Sequence, residues 1–396
     1  MYKAKEIKSS NHDRILECIY RNPGYSRRDI SELTGITPAT VTTTVAAMLQ
    51  EGIVRELGEM EEEKKSLGRK RIALGINEAY GCVVGVEFTA EALTACVTDL
   101  AGKILYTTSV PHSREVGNRI TGLVIDHIRQ CMEAAGDRNI LAVGIAVPGH
   151  MDEEALCLVS SRSFWKSFDG KKIAEACDCP VFFENNVRCM AVAKYLHDPS
   201  NTPSSFALFH VGYGMFCANV SEDELYIGTT YGAGEIAHTV AVPDGKRCSC
   251  GQQGCLQTVA TEVAILENAA VVLKTDQNTL LRNYTDTSKK LTIEHVIAAY
   301  SMGDASVRRL VDQALKYLSI SILNIAVIMN PEKLFLHGKM FNDPVIRRNF
   351  LEMVERRMDF LQNHYNLGTV EVMKALPTDG AAGAAALAIL RGFCHA

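Results

Sequence analysis

Long apolar segments are absent from this 396-residue sequence, which contains no run of 18 or more apolar residues. A bilayer-spanning helix needs about 20 such residues, so we expect no membrane span. Residues 1–8 carry four charged side chains and lack the apolar segment of a secretory signal. We therefore expect a cytoplasmic protein that has no membrane partner.

An excess of positive charge is also absent, because 41 Lys and Arg residues are balanced by 46 Asp and Glu residues, a net charge of -5. This balance argues against a general nucleic-acid coat, although it permits a small DNA-reading module on a neutral body. Apolar residues make up 47% of the chain and charged residues 22%. Such a composition supports well-formed cores, and the length predicts two or three domains.

Most of the 13 cysteines are scattered through apolar surroundings, which is typical of reduced thiols in a cytoplasm. The stretch 238–255 differs, because three cysteines follow one histidine and are separated by glycines that let the backbone bend around a metal. One imidazole nitrogen and three thiolates can form a closed tetrahedral zinc site. We therefore predict a structural Zn²⁺ bound by His238, Cys248, Cys250 and Cys255. The alternative is a turn with coincidental cysteines.

Residues 1–78 predict three helices followed by a two-stranded wing. The apolar spacing indicates helices over residues 9–22, 27–34 and 38–51, with a glycine turn between the second and third. Short strands around residues 53–57 and 72–74 then flank a charged loop. This order is typical of a winged helix-turn-helix, whose recognition helix enters the major groove. The alternatives are a plain three-helix bundle with a solvated threonine face, and a solvated linker in place of the wing.

The polar side of the third helix carries threonines, whose hydroxyls can bond phosphates or bases and whose methyls can contact thymine. Two arginines open the second helix, and a basic run after Gly68 is suited to a narrow minor groove. We predict DNA contacts from Arg27, Arg28, Thr37, Thr40, Thr42, Thr43, Arg69, Lys70 and Arg71. Residues 1–80 hold 13 basic and 12 acidic side chains, so affinity should depend on clustering and dimerisation.

Beyond residue 80 the pattern changes to strands alternating with helices. Three consecutive strands, a helix, a strand, a helix, a further strand and a helix are indicated, and the same order restarts at Phe206. This repetition predicts an α/β body with mixed sheets. The closing run of glycine and alanine over residues 380–386 predicts a helix of small residues that can pack closely, at a hinge or simply in a core.

Two segments, Gly-Glu-Ile-Ala-His at 234–238 and Cys-Ser-Cys-Gly-Gln-Gln-Gly-Cys-Leu at 248–256, resemble the signature of the ROK family of repressors, open reading frames and kinases. The N-terminal segment is similar to the winged helix of the ROK repressors, which the kinases lack. The resemblance implies a two-lobed actin-like (ribonuclease H-like) body with a cleft. The implied domains are a winged helix over 1–78, a first lobe over 79–198 with the helix 380–396 packing back, and a second lobe with the zinc loop over 199–379.

The positions that the ROK kinases use for phosphoryl transfer are altered in this sequence. The family's Asp-x-Gly-Gly-Thr phosphate loop reads Glu-Phe-Thr-Ala-Glu over 87–91, so we expect two acids and a bulky Phe88 to face the place of the phosphates. The second phosphate loop carries Tyr213 between its glycines. The family's general base, an Asp, is Asn186, whose amide cannot accept a proton from a sugar hydroxyl. The alternative is a nearby carboxylate that replaces the base.

The sugar-binding positions of the family are better preserved. Asn185, Glu235 and His238 match hydroxyl-binding residues, and Gly149 lies in a Pro-Gly loop of the family type. Asn186 suits binding without catalysis because an amide both donates and accepts hydrogen bonds. One departure is Gln257, which stands where the family has a Glu that contacts the sugar. The resemblance therefore implies a ligand site of Gly149, Asn185, Asn186, Glu235, His238 and Gln257.

Together these observations predict a sugar-responsive transcriptional regulator, a repressor, that binds operator DNA and senses a sugar or sugar phosphate in an inactive kinase-like body. The expected partners are double-stranded operator DNA, the effector, and further copies of the chain in a homodimer or homotetramer. Some ROK repressors respond to a partner protein, so a protein effector is also considered. The alternative function is a ROK sugar kinase with an added N-terminal domain.

Overall fold

The computed structural model describes residues 10–60, 70–111, 119–152, 155–159, 165, 167–362 and 368–396. The chain forms two compact units, one of Met1–Thr202 with Pro377–Ala396 and one of Pro203–Leu376. The first unit holds the N-terminal helices and a five-stranded sheet, and the second holds another five-stranded sheet. The predicted α/β class with an N-terminal helical module is thus confirmed.

The N-terminal module has the predicted three helices and two antiparallel strands. Its elements are α1 (Asn11–Arg21), α2 (Arg27–Thr34), α3 (Pro38–Gln50), β1 (Val54–Glu59) and β2 (Ile72–Ile76). The charged loop of the wing over 61–69, which includes Arg69, lies outside the described residues.

Local capping explains where these helices begin and end. Ser10 and Asp13 form a reciprocal capping box at the start of α1, and Ser26 and Asp29 form another at the start of α2. Gly35 ends α2 with φ 68°, a left-handed conformation that favours glycine. Because these signals are local, the sequence predicts the helix boundaries well.

The sheet of the first unit has the strand order β5-β4-β3-β6-β9, with antiparallel β5/β4 and β4/β3 pairs and parallel β3/β6 and β6/β9 pairs. A small β7/β8 hairpin was not predicted, whereas the short α5 lies between β6 and β9, where the predicted order has a helix. The elements are β3 (Cys82–Phe88), β4 (Ala92–Asp99), β5 (Ile104–Pro111), α4 (Ile120–Ala135), β6 (Ile140–Val147), β7 (His150–Asp152), β8 (Cys157–Val159), α5 (Gly170–Glu175), β9 (Val181–Asn185) and α6 (Asn186–His197).

The small-residue helix α12 (Asp379–Ile389) packs directly on this sheet. A Cβ atom added at Gly144 of β6 would lie 1.8 Å from the carbonyl oxygen of Ala384, and one at Gly85 of β3 would lie 2.0 Å from that of Ala381. Glycines in the sheet and alanines in the helix therefore allow a close approach that larger side chains would prevent. A π-helical turn, Leu390–Cys394, follows α12.

The sheet of the second unit repeats the same topology in the order β12-β11-β10-β13-β14. Here β12/β11 and β11/β10 are antiparallel, whereas β10/β13 and β13/β14 are parallel. The elements are β10 (Phe206–Val211), β11 (Met215–Ser221), β12 (Glu224–Leu225), α7 (Gln257–Ala260), α8 (Glu262–Thr275), α9 (Ile293–Ser301), α10 (Ala305–Met329), β13 (Lys333–His337), α11 (Pro344–Gln362) and β14 (Thr369–Val372).

Among the described residues, one helix, α10, is long and apolar enough to cross a membrane by length and composition. The same length and composition are typical of a core helix. Half of its most apolar stretch is buried, and Val311, Leu315, Leu318 and Ile322 are inaccessible in the core of the second unit. The packing favours the core-helix interpretation.

Candidate metal centre, ligand residues and DNA-binding surface

The predicted metal loop is held in shape by backbone pairing around a glycine. Val240 bridges to Cys255, and the amides of Ala241 and Val242 both donate to the carbonyl oxygen of Gly254. Gly254 has φ 74°, and a Cβ atom there would lie 1.7 Å from the carbonyl oxygen of Val242. Only glycine fits this position, and the resulting bend returns the last cysteine to the first.

The four predicted zinc ligands converge as a tetrahedral site requires. One donor atom from each of His238, Cys248, Cys250 and Cys255 lies within 4.8 Å of all the others. The Nδ1 atom of His238 is 3.5 Å from Cys248 Sγ, and Cys250 Sγ is 3.7 Å from Cys255 Sγ. Around a tetrahedral zinc ion with bonds of ordinary length, a nitrogen and a sulfur ligand lie about 3.6 Å apart, and two sulfur ligands lie about 3.8 Å apart. The donor set and spacing fit zinc.

Hydrogen bonds lower the pKa of one thiol of this cluster, which favours the thiolate form that binds a metal ion. Burial raises the pKa of Cys248, but hydrogen bonds from the Cys250 amide and from neighbouring side chains outweigh it and lower that pKa to about 6. Burial and the adjacent Cys248 and Cys250 raise the pKa of Cys255 to about 12. At neutral pH the Cys248 thiol is therefore largely ionised, and metal binding would displace the proton of Cys255.

Two of the predicted sugar-binding residues belong to the surroundings of this cluster. Gln257 donates its Nε2 amide to Cys248 Sγ at 2.8 Å and to Ser249 Oγ at 3.2 Å. Glu235 Oε2 lies 3.9 Å from the Nε2 atom of His238, whereas the Nδ1 atom of that ring faces Cys248 Sγ. Gln257 thus supports a metal ligand, and a glutamate in the same pose would repel that thiolate.

The predicted ligand residues of the first unit meet at the start of α6. Asn185 is buried, accepts from the amides of Val187 and Arg188 as the helix cap, and donates to the carbonyl oxygen of Gly149 at 3.2 Å. Asn186 is half-buried and donates Nδ2 to Glu87 Oε1 at 3.2 Å. Asn185 therefore has a structural role in addition to any role in binding.

The expectation that Phe88 faces a phosphate site is wrong. Its side chain is fully buried and stacks on Phe168 and against Trp165, with ring centroids 5.1 Å apart in both pairs. Because β3 is covered on both faces, successive side chains point into packed layers on opposite sides of the sheet. The side chain of Phe88 therefore points away from Asn186. Glu87 is the acid of this stretch that contacts Asn186.

The threonines predicted to contact DNA lie at the exposed start of α3. Thr37 caps the helix, and its hydroxyl lies 2.9 Å from that of Thr40. Thr42 and Thr43 are exposed and donate their hydroxyls to the carbonyl oxygens four residues earlier. The face is accessible, but the hydroxyl protons of Thr42 and Thr43 are already used within the helix.

The predicted basic contacts have acidic neighbours in the described residues. Arg27 lies 3.6 Å from Glu56, Arg28 lies 2.7 Å from Glu32, and Lys70 pairs with Glu59. Arg71 is less exposed and bonds Asp29 at 3.2 Å, so it ties the wing to the N-terminus of α2. Arg28 and Lys70 are the more exposed of these cations.

A histidine pair in the second unit has no signal in the sequence pattern. His210 and His337 are register partners on parallel strands, and their Nδ1 atoms are 2.8 Å apart. Burial, with His337 and Lys339 nearby, lowers the pKa of His210 to about 3, so its imidazole is neutral at physiological pH. The ring of His210 lies over Gly212 of the second phosphate loop. Only strand register, which the sequence does not give, brings these residues together.

Comparisons with known proteins agree with both parts of this architecture. Residues 83–391 match the model of the ROK family, and residues 10–55 match that of winged helix-turn-helix DNA-binding domains. The chain is 26% identical over 367 residues to the xylose repressor of Bacillus subtilis (strain 168), covering 91% of each chain. It is 23% identical over 338 residues to the dual regulator NagC of Escherichia coli (strain K12), covering 84% of this chain and 81% of that one.

Solved structures show the same fold. A ROK family transcriptional regulator, a homologue of the E. coli MLC protein, superposes with a TM-score of 0.77 at 22% identity, covering 97% of each chain. A ROK family glucokinase from Streptomyces griseus superposes with a TM-score of 0.67 at 21% identity, covering 78% of this chain and 99% of that one.

Proposed function

Since this chain belongs to the ROK family, and since a winged helix-turn-helix precedes its ROK body, we propose that it is a sugar-responsive transcriptional repressor of the xylose-repressor and NagC type. The observation that carries the proposal is α2, the Gly35 turn and α3 followed by the wing strands. This module presents its recognition helix to solvent, as DNA reading requires. The protein would act in the cytoplasm, where its operator lies.

We further propose that the ROK body binds its effector without phosphorylating it. The general base of the kinases is replaced by the amide of Asn186, which donates to Glu87. A carboxylate engaged in this way, 8% exposed and in contact range of Gly380, is poorly placed to take a proton from a sugar. The second candidate function is a ROK kinase in which Glu87, the carboxylate in contact with Asn186, replaces the missing Asp.

The proposed effector is a sugar or sugar phosphate. Its proposed binding residues are Gly149, Asn185 and Asn186 in the first unit and Glu235, His238 and Gln257 in the second. A Zn²⁺ ion held by His238 and the three cysteines would fix the loop that carries Glu235, and its role is structural because all four positions are protein ligands. We propose a homodimer or homotetramer as the DNA-binding form. A protein effector is the alternative partner, because Gln257 lacks the family's charge.

A gel-shift assay combined with a turnover assay tests these proposals. The full-length protein should retard a fragment of its native upstream region in the presence of excess unrelated DNA. A coupled assay for ADP release with a panel of hexoses should give no turnover above background. Turnover that disappears in both Asn186→Ala and Glu87→Gln would establish the kinase instead, and a fragment that is never retarded would contradict the repressor.

A further inference from the structure

The recognition helix α3 presents an uncharged, methyl-rich face. Its sequence, Pro-Ala-Thr-Val-Thr-Thr-Thr-Val-Ala-Ala-Met-Leu-Gln, contains no charged residue. Val41, Val45 and Met48 are buried against the rest of the module. The exposed side chains are those of Pro38, Ala39, Thr42, Thr43, Ala46, Ala47 and Gln50. Gln50, the single side-chain amide of this face, lies at the last residue of the helix.

The two exposed threonines are already committed as donors. Thr42 Oγ1 donates to the carbonyl oxygen of Pro38 at 2.7 Å, and Thr43 Oγ1 donates to that of Ala39 at 3.0 Å. A threonine hydroxyl carries one proton, so each side chain offers outward only its γ-methyl and an acceptor lone pair. Donation to a phosphate or to a guanine acceptor would require giving up the bond inside the helix.

We infer that α3 reads its operator through the C5-methyl groups of thymine, with the γ-methyls of Thr42 and Thr43 as the specificity-determining groups. Thymine alone presents a methyl group in the major groove, whereas guanine presents only acceptors there. The inference rests on the proposed function as a DNA-binding regulator. Phosphate contacts fall to Arg27, Arg28 and Lys70 outside α3, because the helix itself has no charge.

The experiment compares two near-isosteric substitutions. Duplexes that bind the full-length protein are first selected from a random-sequence library, and affinities for the selected duplex are then measured. Thr42→Val keeps the methyl and removes the hydroxyl, whereas Thr42→Ser keeps the hydroxyl and removes the methyl. Serine, threonine and valine have similar helix propensities, so melting temperatures should be alike and serve as the folding check.

The expected result is that Thr42→Val binds as tightly as the wild type, while Thr42→Ser binds about fourfold more weakly, the factor that one buried methyl contributes. Replacing the contacted thymine of the duplex by deoxyuridine should weaken the wild type by a similar factor. That replacement should cause no further loss for Thr42→Ser, because both changes remove the same contact. Thr43→Val and Thr43→Ser form an independent second pair.

The opposite order of affinities at both positions, with serine tight and valine weak, would overturn the methyl readout while leaving the repressor assignment intact. Insensitivity of the wild type to every deoxyuridine substitution would also overturn it. If the library yields no enriched sequence at all, the regulator proposal and the readout both fail.

Discussion

Two glycines of the predicted metal loop, Gly251 and Gly254, show that glycines in one loop can be constrained to different degrees. Both have positive φ, 96° at Gly251 and 74° at Gly254. Around Gly251 the space for a Cβ atom is open, whereas at Gly254 that atom would clash with the Val242 carbonyl. The sequence shows two equivalent glycines, and only the folded loop distinguishes them.

We predict that Gly254→Ala abolishes zinc binding and that Gly251→Ala preserves it. Alanine at position 251 meets only the left-handed strain of about 1–2 kcal/mol, while alanine at position 254 must also displace backbone. Zinc content of the purified proteins and their melting temperatures measure both effects. Equal zinc content in the two variants would show that the loop adapts and that the close approach is not required.

At the scale of elements, α1 links the winged helix to the end of the chain. Glu17 accepts a hydrogen bond from Tyr195 of α6 at 2.5 Å and one from His395, beyond the C-terminal π-helical turn, at 2.7 Å. Arg21 stacks over the ring of Tyr195, 3.7 Å from its centroid. The two hydrogen bonds join residues 178 and 378 positions apart, and they attach α1 to α6 and to the C-terminal end of the chain.

We predict that Glu17→Gln destabilises the first unit by about 1–3 kcal/mol, because one of the two donors would then face an amide N–H. Burial raises the pKa of Glu17, but the bonds from His395 and Tyr195 outweigh it and hold that pKa below its ordinary value. The unfolded chain therefore binds the proton more readily, and this stabilisation is present above about pH 4.5 and is lost as the pH falls through the folded pKa.

Chemical denaturation of both proteins at pH 7 and pH 4 measures the difference, which should be smaller at the lower pH. Glu352→Gln is the matched control, because its carboxylate makes only an exposed pair with Arg356 and should contribute little. A Glu17→Gln protein as stable as this control at pH 7 would contradict the prediction.

At the scale of the whole molecule, the two units repeat one strand order but have different site chemistry. The first carries the Asn185 cap and the Asn186–Glu87 contact, and the second carries Glu235 and the cluster of one histidine and three cysteines that could hold a metal ion. If the chain senses a sugar, residues of both units should affect binding without being needed for folding. A ligand that prefers the folded protein raises its melting temperature.

We predict that a screen of sugars and sugar phosphates will identify a compound that raises the melting temperature of the wild type. The shift should disappear in Glu235→Gln and shrink in Asn186→Ala, since each loses a group that we propose bonds a hydroxyl of the effector. Glu267→Gln, which alters an exposed acid paired with Lys246 in the same unit, should keep the full shift. Zinc analysis separates loss of the metal from loss of the ligand, and a full shift in Glu235→Gln would contradict the site.

Much of this architecture could be predicted from sequence because its signals are local. Capping residues such as Ser26 and Gly35 mark the helix ends, and their hydrogen-bond partners lie no more than four positions away. The four predicted metal ligands fall within a stretch of 18 residues. The small-residue helix was also recognisable, although only the family resemblance, and not the residues themselves, implied that it packs on the first lobe. The hairpin β7/β8 was missed, because strands of three residues carry too few side chains to show a period.

Periodicity, capping and spacing predict the kinds of element, their order and the available chemistry, including a histidine and three cysteines at metal-binding spacing. Folding establishes which groups are already engaged: Gln257 on the sulfur of Cys248, Asn185 at a helix cap, Phe88 in the core and His210 against His337. The two kinds of information differ because the underlying interactions differ in range. Backbone preference and capping act over a few residues, whereas the direction of a side chain and its hydrogen-bonding partner depend on chain segments that packing brings together from distant positions.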